Sequence, residues 1–161
     1  MLSYHTRPAT AEDVSFLADV VVEATRAQGR LPNDFDERQW RKGFCEWTME
    51  QVRGGVPDGA TSVIEVYNER VGRLRIARTA DYLELCGIQL LPYMQRHGIG
   101  TAIIEDLKAQ AAVAGIPLDL GVEKDNPEAG KLYERLGFVR IGETEQEFRL
   151  RWNPAPGGAE S

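Results

Sequence analysis

The chain has 161 residues, a length that suits one domain with a substantial apolar core. Its 19 Lys and Arg against 25 Asp and Glu give a net charge of −6, which disfavours nucleic acid as a partner and favours an amine-bearing one. The two cysteines form no Cys-x-x-Cys pair and the two histidines lack metal-ligand spacing, which argues against a zinc site and a disulfide framework.

No basic segment followed by an apolar one opens the chain, and no apolar run approaches the length of a membrane span. We therefore expect a cytoplasmic protein that contacts no membrane. We also expect a single domain over residues 1–153 and a frayed tail, rich in Pro, Gly and Ala, over 154–161. The sequence leaves open whether the protein is a monomer or a homodimer.

The amino-terminal third predicts two amphipathic helices. The first begins at a capping box over residues 10–13, in which the Thr10 hydroxyl accepts a hydrogen bond from an unpaired amide, and it ends at Gly29. The second helix spans 36–53 and ends at two glycines. Its aromatic residues recur at steps of three and four: Trp40, Phe44 and Trp47.

From residue 61 the apolar period changes to that of β-strands. Three strands, with a turn at Asn68-Glu69-Arg70 between the first two, predict an antiparallel meander over 61–67, 71–78 and 82–90. A helix over 98–114, a strand over 118–122 and a short helix from Asn126 to Gly137 follow. Two closing strands are predicted over 138–141 and 147–152.

The segment Gln95-Arg96-His97-Gly98-Ile99-Gly100 connects the meander to the long helix. Glycines at alternate positions let backbone amides approach a ligand, and the helix amino terminus adds unpaired donors and partial positive charge. The segment therefore predicts a pyrophosphate-binding loop. A tight turn without a ligand is the alternative.

This hexapeptide fits the Q/R-x-x-G-x-G/A signature of the GNAT superfamily of N-acetyltransferases. The segment NPEAGKLYERLGF, residues 126–138, resembles the family's N-x-x-A-x-x-L-Y-E-x-x-G-F element, and residues 7–13 are similar to its first strand-to-helix junction. The resemblance covers most of the chain, to about Trp152. One departure is that Arg96 and His97 stand where the family often has Gly-x.

The resemblance implies an α/β (α+β) fold with a mixed, largely antiparallel central sheet flanked by helices. It also implies an N-acetyltransferase that moves the acetyl group of acetyl-coenzyme A directly to a primary amine of a small molecule or peptide, without a metal. The loop would bind the pyrophosphate, and the preceding strand would pair with the pantetheine arm. The implied coenzyme-binding residues are Ile88, Leu90, Gln95, Arg96, His97, Gly98, Ile99, Gly100, Thr101, Asn126 and Tyr133.

Two residues are candidates for acid–base chemistry, because an amine must lose a proton and the departing thiolate needs a proton or a hydrogen bond. Tyr133 matches the position at which the family commonly has its acid, and a core aromatic is the alternative. Glu84 has the spacing of the basic glutamate of histone-type members. The alternative bases are Glu123 and a water chain. Glu84 itself is otherwise an exposed strand carboxylate without a catalytic role. We expect Cys86 to be a small buried residue and no nucleophile.

The acceptor is less constrained. Trp40, Phe44 and Trp47 form either an acceptor wall or ordinary core packing. The acidic residues Asp81, Glu84, Glu123 and Glu143 would favour a cationic acceptor if they gathered at the mouth of the site. A different function, a catalytically idle acyl-coenzyme A sensor, also fits the motifs. An ordinary nucleotide-binding domain is disfavoured, since antiparallel strands precede the loop and no Gly-x-x-x-x-Gly-Lys occurs.

Overall fold

The structure is a computed structural model that describes residues 3–54 and 59–155. The helices of this part of the chain are α1 (Val14–Ala27), α2 (Glu37–Val52), α3 (Ile99–Ala114) and α4 (Pro127–Arg135). The strands are β1 (His5–Pro8), β2 (Gly59–Val66), β3 (Glu69–Arg78), β4 (Leu83–Leu90), β5 (Leu118–Glu123), β6 (Val139–Glu143) and β7 (Glu147–Trp152). None of the helices in the described ranges is long and apolar enough to span a membrane.

The strands form one sheet in the order β1-β2-β3-β4-β5-β7-β6. β1 pairs with β2, β5 with β7, and β6 with β7, all antiparallel, whereas β4 and β5 are parallel, with Leu83 opposite Leu118. A parallel pair needs a crossover connection, and α3 supplies it. The mixed, largely antiparallel sheet with its helices confirms the predicted fold class.

Two helices begin where the capping residues predict. The Asp36 side chain accepts a hydrogen bond from the Gln39 amide at 3.1 Å at the start of α2. The Asn126 side chain accepts one from the Ala129 amide at 3.3 Å, and Pro127 is the first residue of α4. Both side chains satisfy amides that have no partner within the helix.

The capping box predicted over residues 10–13 is present before α1. The Thr10 hydroxyl donates to the Asp13 carboxylate at 3.2 Å, and the same carboxylate accepts from the Thr10 backbone amide at 2.9 Å. The Asp13 carboxylate is therefore the main hydrogen-bond acceptor of this capping box. One 3-10 turn, Ala11–Asp13, precedes α1.

The chain divides into two compact units, and the first consists of residues up to Ile76 together with Gly87–Thr101. Its interior is made of fully buried residues of α1 and β2, among them Leu17, Val20, Val63 and Ile64. Tyr67 and Asn68, with φ of 53° and 65°, join β2 to β3. These values suit a two-residue type I′ turn, so the turn lies earlier than the predicted Asn68-Glu69-Arg70.

The second unit consists of Ala77–Cys86 together with the residues from Ala102 onward. The inner stripe of α3 and the alternate residues of β5 are buried there, as their periods predict. These core residues are Ile103, Ile104, Leu107, Ala111, Leu118, Leu120 and Val122. The expectation of one domain over 1–153 stays a prediction, and residues 156–161 of the predicted tail lie outside the described ranges.

Candidate active site

The predicted pyrophosphate loop starts from a well-anchored position at the end of β4. The Leu91 amide donates to the Val71 carbonyl at 2.8 Å. The Gln95 side chain donates to the Leu90 carbonyl at 3.1 Å, which ties the first residue of the motif to the last residue of β4. The two hydrogen bonds hold the loop on the first unit before its backbone turns toward α3.

The loop backbone passes through the left-handed region at Arg96 (φ 66°) and Gly98 (φ 83°). Glycine adopts this region freely, whereas a residue with a side chain loses about 1–2 kcal/mol there. Arg96 occupies the position where the family often has glycine. Its side chain and that of His97 are exposed, as expected, while Ile99 is fully buried and fixes the start of α3.

Gly100 lies in the first turn of α3. A Cβ atom built on it would meet no described atom within 4 Å, so the packing of the chain does not require a glycine here. Because Gly100 has no side chain, the space beside the first backbone amides of α3 stays open. These amides have no hydrogen-bond partner within the helix. The first turn, which includes Thr101, contains no acidic residue, so nothing there offsets its partial positive charge.

Tyr133 and Asn126 lie on and before α4 in the second unit. The Tyr133 ring packs edge-on against Phe138 with 5.8 Å between ring centroids. Burial raises the pKa of Tyr133, so the phenol stays protonated over a wide pH range. Its hydroxyl has no hydrogen-bond partner among the described residues. The Tyr133 ring thus packs in the second unit, while its hydroxyl is available to donate a hydrogen bond to a ligand.

Glu84 on β4 forms an ion pair with Arg149 on β7, at 3.0 Å. Arg149 also contacts Glu147 at 3.4 Å. The carboxylate of Glu84 is thus already engaged by Arg149, and a proton-accepting role requires that it keeps or exchanges this contact when the acceptor binds. The alternative base, Glu123, is exposed at the end of β5.

Cys86 is exposed, which corrects the expectation that it is buried. Alternation along β4 explains the error, because Leu83 and Leu85 point to the core and Cys86, the next residue after Leu85, points to the other face. Two of the four acidic residues that would favour a cationic acceptor if they gathered are already in ion pairs. Glu84 pairs with Arg149, and Glu143 pairs with Lys124 at 2.7 Å, so both already have cationic partners within the protein.

The aromatic residues of α2 form a row at the surface of the first unit. Neighbouring ring centroids are 6.1 Å apart for Phe35 and Trp40, 4.8 Å for Trp40 and Phe44, and 6.4 Å for Phe44 and Trp47. Trp47 is 42% exposed, and Trp40 and Phe44 are partly exposed. The row is therefore not ordinary core packing.

Two arginines of β3 that sequence reasoning missed lie against this row. The guanidinium carbon of Arg73 is 5.4 Å from the Phe44 ring centroid, and that of Arg75 is 4.9 Å from the Trp47 centroid. Both arginines are buried, with 7% and 9% exposure. Two cations at alternate positions of a largely apolar strand were the available signal, since alternate residues share one face.

The described residues contain no group of His, Cys, Asp and Glu side chains arranged to hold a metal ion.

A sequence profile described as the acetyltransferase (GNAT) family matches residues 8–138, a range that includes both motif segments.

Several solved structures share the fold. The PaiA N-acetyltransferase from Thermoplasma acidophilum, in complex with coenzyme A, superposes with a TM-score of 0.78 at 18% identity, over 94% of this chain and 99% of that one. An acetyltransferase from Thermus thermophilus has a TM-score of 0.70 at 17% identity, with 93% and 96% covered. A spermidine N-acetyltransferase, a chimera of Vibrio cholerae and hSSAT sequences, has 0.68 at 17%, with 93% and 95% covered. At these identities the likeness shows the fold alone.

Proposed function

Because the chain belongs to the GNAT family of acetyltransferases, we propose that it transfers the acetyl group of acetyl-coenzyme A directly to a primary amine of a small molecule or peptide. The observation that carries the proposal for this chain is the loop between β4 and α3. It combines a glycine that no packing contact requires with a helix amino terminus whose first turn holds no acidic residue. This combination suits a pyrophosphate.

The donor would lie along the first unit. The residues from Gln95 to Thr101 would hold the pyrophosphate, mainly through backbone amides, and the exposed Arg96 would add positive charge. Ile88 and Leu90 are half-buried on β4, and their backbone would pair with the pantetheine arm as an added strand. The coenzyme A bound to the PaiA enzyme supports this donor.

Residues of α4 and β4 would supply the chemistry. Tyr133 would donate a hydrogen bond or a proton to the departing sulfur, since its raised pKa keeps the phenol protonated and its hydroxyl has no other described partner. Glu84 would draw the proton from the acceptor amine, directly or through water, with Glu123 as the alternative. Asn126 is fully explained as the cap of α4, so its contact with the coenzyme rests on the family motif alone.

The proposal is tested first by ligand binding and then by turnover. Acetyl-coenzyme A at millimolar concentration should raise the melting temperature, because a ligand that binds the native state stabilises it by mass action. Release of coenzyme A thiol with a panel of amines, together with product masses, tests the transfer itself. Binding without transfer to any amine would favour the idle sensor, and an unchanged melting temperature with silent calorimetry would contradict the donor assignment.

Replacing Gly100 with Val should weaken acetyl-coenzyme A binding at least about tenfold without unfolding the protein, because the side chain would occupy the space beside the α3 amides. Isothermal calorimetry gives the affinity, and circular dichroism verifies the fold. The matched control is Gly43→Val, since Gly43 is also a helical glycine whose Cβ would meet no described atom. Equal affinities of the two variants would exclude the loop as the pyrophosphate site.

Arg96→Gly should act in the opposite direction. Removing the left-handed strain should stabilise the folded protein by up to about 1 kcal/mol while the coenzyme affinity stays within about threefold, because backbone amides do most of the binding. Chemical denaturation measures the change. A destabilised Arg96→Gly variant would show that the arginine side chain holds the loop.

Glu84→Gln should lower the transfer rate most strongly below neutral pH, where the neutral amine is scarcest. The comparison is the pH–rate profile of the parent, measured with one competent amine. Glu147→Gln is the matched control, because it removes a carboxylate from the same arginine without touching the proposed base. If the Glu84→Gln and parent profiles superimpose, Glu84 has no part in the mechanism.

A further inference from the structure

Resting on the proposed function, we propose that the acceptor is an amine that also carries a carboxylate, as an amino acid does, and that Arg75 binds this carboxylate beneath the aromatic row of α2. The proposal departs from the cationic acceptor that the acidic residues suggested. It is carried by the partners of Arg75, by two unsatisfied polar atoms of α2, and by the position of β3 next to β4.

Arg75 is a buried cation whose contacts with the described residues are all with neutral groups. Its guanidinium donates to the Thr61 hydroxyl at 3.2 Å and lies on the Trp47 ring, and no carboxylate among the described residues contacts it. A charge taken out of water is stable only with an opposite charge or strong hydrogen bonds. A planar guanidinium is well suited to a carboxylate, which it can bind with two parallel hydrogen bonds.

Four partly exposed arginines of the protein differ from Arg75 in having a carboxylate partner. Their side chains are 29–35% exposed, and yet each has a carboxylate partner. The pairs are Arg7 with Asp13 at 2.8 Å, Arg41 with Asp19 at 2.7 Å, Arg149 with Glu84 at 3.0 Å, and Arg151 with Asp119 at 2.7 Å. Arg75 is more deeply buried than these, and it has no carboxylate partner among the described residues, so its guanidinium is suited to an anion that a ligand supplies.

Helix α2, which carries Trp47, also contains buried polar atoms without a hydrogen-bond partner among the described residues. The Thr48 hydroxyl and the Gln51 side-chain oxygen are buried without a hydrogen-bond partner in the described part of the chain. Thr48, which is completely buried, directly follows Trp47, and Gln51 is one turn further along α2. Buried oxygens of this kind accept hydrogen bonds from N–H groups, which an amine supplies. α2 therefore carries unpaired acceptors close in sequence to Trp47, whose ring covers the cation of β3.

The face of β3 that holds Arg75 continues toward the strand proposed to bind the donor. Arg73, two residues earlier on the same face, donates to the Gln89 side chain at 2.9 Å. A Cβ at Gly87 would be 2.7 Å from the Arg73 guanidinium, so Arg73 reaches β4 at that point. Residues two apart on a strand are separated by about 7 Å. A carboxylate at Arg75 would thus lie about 7 Å along β3 from Arg73, the residue that contacts β4 at Gly87 and Gln89.

The aromatic row provides the cover of this site. Trp47 lies over Arg75 and is itself 42% exposed, so its ring separates the guanidinium from solvent on this side. Trp40 and Phe44 would then pack on the apolar part of the acceptor. A polyamine would instead bring positive charge against Arg75 and should be a poor acceptor.

The experiment compares the common amino acids with their C-terminal amides and with spermidine, using calorimetry on the protein–coenzyme A complex and acetyl transfer by mass spectrometry. We expect at least one amino acid to bind and react at least about tenfold better than its amide and better than spermidine. In Arg75→Met that preference should disappear while coenzyme A affinity is unchanged. Arg78→Met, an exposed cation of the same strand, is the control and should keep the preference.

An amide or spermidine that binds as well as the acid to the parent protein would overturn the proposal, and this comparison does not depend on any variant folding. A preference that survives Arg75→Met would remove Arg75 as the carboxylate ligand. If the acid binds preferentially but no member of the panel is acetylated, the transferase proposal fails and the carboxylate site stands. If spermidine alone is acetylated, the transferase proposal stands and the carboxylate site fails.

Discussion

Replacing Tyr133 with Phe should lower the acetyl-transfer rate by about 10²-fold while acetyl-coenzyme A affinity and melting temperature barely change. The substitution deletes only the hydroxyl, which has no partner among the described residues, and it keeps the edge-on contact of the ring with Phe138 at 5.8 Å. Loss of rate without loss of stability therefore separates a chemical role from a packing role. The measurement is a single-turnover rate with a competent amine, so that product release cannot mask the effect.

The expected loss of transfer rate lies at the lower end of what a general acid contributes, because the phenol holds its proton more tightly than a thiol does. A phenol and a thiol have ordinary pKa values of about 10 and 8.5, and burial raises the pKa of Tyr133 further. A hydrogen bond to the thiolate is then sufficient, and full proton transfer is not required. The rate should also show no loss from Tyr133 ionisation below about pH 10.

The control for this variant is Tyr82→Phe, which removes a phenolic hydroxyl from the same compact unit but from outside the motif. It should leave the rate near that of the parent. A folded, coenzyme-binding Tyr133→Phe variant that reacts within about threefold of the parent would show that Tyr133 is a core aromatic.

Asp13→Asn should destabilise the folded protein by about 3 kcal/mol at neutral pH. Asp13 is 2% exposed and accepts hydrogen bonds from Arg7 at 2.8 and 3.0 Å, from Arg70 at 3.3 Å and from the Thr10 amide at 2.9 Å. The amide of Asn cannot neutralise the two guanidinium groups. The value is at the low end for a broken buried pair because the Arg7 side chain is 35% exposed. Urea denaturation measures the free energy of unfolding.

The same residue predicts how stability depends on pH. Its hydrogen bonds with Arg7 are the main reason that the folded-state pKa of Asp13 lies well below the ordinary value of about 3.9. A lowered pKa contributes stability above the unfolded-state value and loses it as pH falls toward the folded-state value. The parent should therefore lose stability below about pH 4, and Asp13→Asn should lose less. Glu12→Gln, an exposed neighbour, is the control, and an equal effect of the two substitutions would contradict the buried role.

Much of the local structure was determined by the sequence alone. The caps at Asp36 and Asn126 and the helix ends near Gly29, Gly115 and Gly137 all lie where the residue types predict, and these glycines have positive φ. Such signals depend on groups within a few residues of each other, which is why they can be read without tertiary structure. The two motif segments likewise identified the family, since each is continuous in the chain.

Only the tertiary structure decided which charges meet. Arg149 pairs with Glu84 from far along the chain, and Arg75 lies buried under Trp47 with no carboxylate of the described ranges beside it. Both facts follow from strand register and from how α2 packs on the sheet, and a one-residue shift of register would turn every side chain of a strand to the other face. Strand β4 is a second example. The sequence shows that its side chains alternate between two faces, but it did not show that Cys86 is on the exposed one. The binding of the acetyl donor could be predicted from local motifs. Recognition of the acceptor depends on residues that only folding brings together.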